Sequence, residues 1–224
     1  MPLIRPATPL RLTLLLAGLL AVTGCSTLYY NTMERFGIEK RDILVDRVED
    51  ARGSQEEARE TFRSSLERFQ SVVDTPDTPL KEKYEEVRDA FDNSEGAAEN
   101  VRERIGKVEE VAGDLFDEWE DELDQYESPS LRRSSEQKLR ETRRHYEQLI
   151  SRMHDAEDRM TPVLQAFEDQ QLYLKHNLNA QAIAALESEL GRIRQDVDSL
   201  IREMESAIAE SEAFIRRFRN EENR

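Results

Sequence analysis

The sequence predicts an all-α protein, an elongated antiparallel four-helix bundle or coiled coil with up-down-up-down connections. Three observations predict it. Beyond residue 38, apolar residues recur at alternating spacings of four and three, the coiled-coil period rather than the alternation of a strand. Charged residues make up 36% of the chain and the mean hydropathy is −0.76, the make-up of long helices with solvated outer faces. The interior prolines are confined to Pro76, Pro79, Pro129 and Pro162, and the first three fall at breaks in the periodic pattern.

The chain opens with Arg5 and Arg11 ahead of an apolar run from Leu12 to Val22, broken by Thr13 and Gly18. That run is about half of the ~20 residues a membrane-spanning helix needs. Basic flank, short apolar core and small residues before a cut site read as a secretory signal peptide over residues 1–24. Cys25 is the single cysteine. It cannot form an internal disulfide, and an exposed thiol is a liability in an oxidising compartment. Leu20-Ala21-Val22-Thr23-Gly24-Cys25 resembles the lipobox of bacterial lipoproteins. The resemblance implies cleavage between Gly24 and Cys25, diacylglycerol on the Cys25 sulfur and acylation of the new amino terminus. Two acyl chains already anchor a protein stably, at ~0.8 kcal/mol per buried CH₂. Ser26 stands where aspartate favours inner-membrane retention of such proteins. The expectation is therefore a lipid-anchored protein of the cell envelope, on the periplasmic face of the outer membrane.

Residues 25–37 read as a tether that can hold a short helix from Leu28 to Phe36. A single helical bundle follows over 38–220. Its first helix, about 38–73, has the seam Leu44, Val48, Ala51, Gln55, Ala58, Phe62, Ser65, Phe69 and Val72. Thr78 as N-cap with Pro79 at the first helical position starts the second helix, about 79–127. Its seam runs Leu80, Tyr84, Val87, Phe91, Ser94, Ala98, Val101, Ile105, Val108, Ala112, Leu115 and Trp119. Ser128-Pro129 repeats the signal for the third helix, about 129–176, which Pro162 should kink. Asn179 is the expected cap of the fourth helix, about 180–218. There Ile201, Ile208 and Ile215 widen the apolar face, against the first helix or a second chain.

In an antiparallel hairpin, facing residues share a nearly constant index sum. About the Ser128-Pro129 turn, Val101 with Ala156 and Val108 with Leu149 share one sum; Ile105 with Met153 and Ala112 with Tyr146 share the next. The first hairpin likewise pairs Phe62 with Phe91 and Ala58 with Ser94, and the last pairs Phe167 with Leu190. Leu44 then faces Val108 and Phe214 faces Thr142. The hairpin from about Ala112 to Leu139 should therefore project beyond the start of the first helix and the end of the fourth, where the Cys25 tether enters. Phe116, Trp119, Leu123 and Tyr126 make this tip the candidate partner-contact surface. The alternative is that Leu28, Tyr29, Met33 and Phe36 fold back and cover it. The interior glycines Gly53, Gly96, Gly106, Gly113 and Gly191 permit close helix approach or local bending, or are simply tolerated on the surface of long helices.

The full chain has 32 basic and 48 acidic residues, a formal net charge of −16. Loss of residues 1–24 removes two arginines and no acid. So acidic a surface argues against nucleic acid and against peripheral attraction to anionic lipid. His145, His154 and His176 have no metal-ligand spacing, and Glu141 four residues before His145 reads as a surface ion pair. No glycine-rich phosphate loop, nucleophile elbow or His-Glu-x-x-His motif occurs. The reading is no enzyme, no cofactor and no metal.

The stretch from Tyr29 through Glu39-Lys40-Arg41-Asp42 to Arg52 resembles the opening signature of the DUF2959 family, proteobacterial proteins, many of them lipoproteins, of unknown function. The resemblance implies an all-helical envelope protein and supplies no activity. The expected function is a structural or interaction role in the envelope, through an envelope protein partner or self-association. The alternative is a bundle that holds an apolar or metal ligand in a cavity near Ala98, Ala112 and Ala156.

Overall fold

The computed structural model describes residues 40–75, 78–177 and 180–222. The signal, Gly24, Cys25 and the tether lie outside the described residues, as does Asn179. The chain divides into two units, Met1–Ile43 and Leu44–Arg224, and the bundle belongs to the second except for the first turn of its first helix. Four helices follow one another: α1 (Lys40–Asp74), α2 (Leu80–Leu123), α3 (Pro129–His176) and α4 (Ala180–Glu222). They form an all-α four-helix bundle, with no strand among the described residues.

Every expected seam residue of α1 is buried, from Leu44 to Val72. Phe69 stacks on Phe167 of α3 with ring centroids 4.4 Å apart, and Phe62 lies 6.4 Å from the same ring. Each such phenyl removed from water contributes about 1.5–3 kcal/mol, so this cluster is a principal tie between α1 and α3. In α4 the apolar seam of Leu186, Ile193, Val197, Leu200, Met204, Ala207 and Phe214 is buried and Leu190 half-buried, and of the three isoleucines expected to widen the face Ile208 and Ile215 are buried while Ile201 is half-buried. Arg219 of α4 reaches Glu49 of α1 at 2.6 Å. With its amide oxygen turned toward α4, Gln70 accepts from Arg194 Nη2 at 2.7 Å.

The first half of α2 departs from expectation. Lys83 and Ala90 take the innermost positions, whereas Leu80, Tyr84 and Phe91 are only half-buried. Ser94 donates to Ser65 at 2.9 Å, and Ser65 donates to the Ala90 carbonyl at 3.0 Å. Ser94 therefore sits level with Ser65, one heptad from the expected Ala58. Two small hydroxyls that bond each other and a backbone carbonyl fit where a phenyl ring cannot. Lys83 Nζ donates to the Val72 carbonyl at 2.6 Å.

The cap at Thr78 is also corrected. Pro79 itself is the N-cap, with ψ 135°, and among the described residues no side chain caps α2. The extended ψ keeps Pro79 out of the helix, and the Thr78 N–H turns back to the Thr75 carbonyl at 3.3 Å. At α3 the expected signal operates: Ser128 Oγ accepts from the Leu131 N–H, with Pro129 in the first turn. α3 runs through Pro162 without a break in the helix. The proline is exposed, so the Asp158 carbonyl that loses its helix donor is at the solvent side. Among the described residues, an added Cβ at each of the five interior glycines would meet nothing within 4 Å. Within one chain, then, none of them serves a close helix approach.

Candidate functional site

The α2–α3 hairpin carries the sequence-predicted contact residues. Cross-helix bonds put Arg104 of α2 beside Asp50 of α1, and Arg217 of α4 beside His145 of α3. By continuation, the α2–α3 hairpin extends past the level of Leu44. Leu28, Tyr29, Met33 and Phe36, the segment that could cover it, lie outside the described residues.

The hairpin brings the four candidates to one end and treats them differently. Phe116 is buried, edge-on to Tyr146 at 5.4 Å, with the Arg143 guanidinium 5.0 Å above its ring. Trp119 is half-buried, and its indole N–H donates to Ser135 Oγ at 2.8 Å. Leu123 closes α2 half-buried, while Tyr126 is 41% exposed in the bend and its hydroxyl lies 3.4 Å from the same Ser135 Oγ. Leu131, which sequence reasoning passed over, is 59% exposed in the first turn of α3. Ser135 and Arg143 were also missed, because neither belongs to an apolar pattern; only the hairpin register could have put them opposite Trp119 and Phe116. Arg143 pairs with Glu120 at 2.6 Å and Arg132 with Asp124 at 2.8 Å. The tip is thus a built hairpin end, with buried Phe116 beneath and Tyr126 and Leu131 outside.

Farther from the tip, His154 of α3 bridges two carboxylates. Its Nε2 lies 2.9 Å from Glu109 of α2 and its Nδ1 3.0 Å from Glu157, which Arg102 of α2 also approaches at 3.4 Å. Burial alone would lower the His154 pKa, but the hydrogen bonds and charges of Glu109 and Glu157 outweigh it and raise it. Burial, with the charge of Glu109 added, pushes the Tyr146 hydroxyl up to about 12. The expected Glu141–His145 ion pair does not form. Glu141 accepts from Gln137 at 2.9 Å, and His145 Nδ1 meets Arg217 at 3.1 Å.

Among the described residues no group of three or more His, Cys, Asp or Glu is arranged to hold a metal. Ala98, Ala112 and Ala156 are fully buried in the seam. The grooves at Arg152–Pro162 and Arg144–Asp155 are open and lined mainly by charged side chains. Among the described residues no helix is long and apolar enough to cross a membrane.

One family model, described as a protein of unknown function (DUF2959), matches residues 29–218. The chain belongs to the DUF2959 family. No curated protein and no solved structure matches it. The matched span opens at Tyr29 and ends at Phe218, so it takes in α1, α2, the hairpin tip, α3 and all but the last turn of α4 in this DUF2959 bundle.

Proposed function

We propose that this DUF2959 protein is a lipid-anchored envelope protein without enzymatic activity, whose bundle has a structural or interaction role and whose α2–α3 end is its contact surface. The observation that carries the reading is Cys25, the chain's one cysteine, at the end of Leu20-Ala21-Val22-Thr23-Gly24-Cys25. The bundle is consistent with it. Its seam is filled mainly by apolar side chains, and carboxylates such as Glu49 and Glu120 pair with arginines on the outer faces, which suits a structural or docking body more than a reaction vessel. Ser26 after the cysteine supports the outer membrane, facing the periplasm.

Photo-crosslinking in cells from positions 119 and 126 tests the contact role. Attachment to one defined protein, a second copy included, is the expected result. Attachment to lipid alone would overturn the assignment of a protein-binding role to this end.

A further inference from the structure

At the α2–α3 end the two signs of charge are sorted by helix. From Glu109 to Glu127 the chain carries ten acidic residues and no basic one. From Leu131 to Arg144 it carries Arg132, Arg133, Lys138, Arg140, Arg143 and Arg144 against Glu136 and Glu141. Arg132 and Arg143 are engaged within the hairpin by Asp124 and Glu120. Arg133, Arg140 and Arg144 are exposed and make no ion pair among the described residues, and the same holds for Glu110 and Asp117.

These residues fall on outward stripes. Glu110, Asp117 and Asp124 recur at seven on α2 and the bend after it, and Arg133 and Arg140 recur at seven on α3. The cross-hairpin bonds Trp119–Ser135 and Glu120–Arg143 set the relative heights. By them Arg140 stands near the height of Asp117, and Arg133 near that of Asp124.

We propose that the α2–α3 face at this end docks against the same face of a second copy, the two chains side by side and pointing the same way. A two-fold axis parallel to the helices sets the acidic stripe of α2 from one copy against the arginine stripe of α3 from the other, twice, at equal height. The occupant is chosen by charge. A surface sorted into one acidic and one basic helix is complementary to itself under this two-fold. An anionic membrane or nucleic acid would meet an end on which acids outnumber bases two to one. The axis leaves both amino termini at one end, as two chains tethered in one membrane require. Gly106 and Gly113 stand on the same stripe as Glu110 and Asp117, exposed and with open space beside them, so a second helix can come close there. Surface charges dominate the contact, so it is weak and sensitive to salt.

The inference rests on the interaction role proposed above and names its occupant. Its test is the mass of the full chain in mild detergent, measured by sedimentation at low salt and at about 0.5 M salt, where exposed pairs are screened. The expected result is a concentration-dependent dimer at low salt that dissociates in high salt. R133E/R140E/R144E and E110K/D117K/D124K, each with unchanged helicity, should be monomers alone and should associate when mixed. A wild-type chain that stays monomeric, reversal variants that dimerise as wild type does, or a mixture that fails to associate would each overturn self-docking. None of these outcomes bears on lipidation or on capture of another protein in cells, so the broader role stands or falls separately.

Discussion

Lys83 of α2 caps α1: its Nζ donates to the Val72 carbonyl, 2.6 Å away in the last turn before Asp74. The last four carbonyls of a helix have no partner within it, and the negative end of the helix dipole gathers there. α1 has no basic residue of its own in that turn. The lysine from the next helix supplies the missing charge while its methylenes fill space between the two.

That arrangement separates two substitutions. Lys83→Ala should cost about 2–4 kcal/mol, because it opens a cavity and strands a buried carbonyl. Lys83→Met leaves the same carbonyl unmet but should cost less, because it fills the space and removes a buried charge whose one hydrogen bond among the described residues is to that carbonyl. Urea unfolding of both variants checks this. Equal losses would show that packing and the cap are not separable as argued.

Gln55 is buried completely in the α1 seam, and neither its Oε1 nor its Nε2 has a hydrogen-bond partner among the described residues. An unmet buried amide costs about 1–3 kcal/mol, whereas an apolar side chain of similar size in its place does not. Gln55→Leu should therefore stabilise the bundle by about 1–2 kcal/mol, read as a higher urea midpoint with unchanged slope. Destabilisation would mean that the amide is satisfied in solution.

The His154 bridge gives stability a pH dependence. Its folded pKa is raised above the ordinary 6.5. The bridge therefore contributes in full below about pH 6.5, provided the carboxylates are ionised, and its contribution is lost as pH rises through the folded value. Unfolding followed between about pH 5 and pH 8.5 should show wild type losing stability relative to His154→Gln, and the loss should shrink at high salt. A constant difference across that range would contradict the charged bridge.

These residues also mark where the sequence was legible. The α1 seam could be read residue by residue, because long runs of fours and threes leave one face to bury. The opening of α2 could not. Lys83 reads as a surface residue by type, and nothing local says that a carbonyl at the end of another helix awaits it. Tyr84 and Phe91 read as core by type, yet the Ser65–Ser94 contact turns them toward the edge. At the tip, the apolar pattern found Phe116 and Trp119 but not Ser135 or Arg143, whose roles arise only once the hairpin closes.

We propose that lipid on Cys25 holds this bundle in the envelope. Intact mass spectrometry of the mature chain extracted from membranes tests it most directly. The expected result is a chain that begins at Cys25 and carries a diacylglyceryl group on sulfur with a further acyl group on the amino terminus. A chain that retains residues before Cys25, or whose Cys25 carries no lipid, would contradict it.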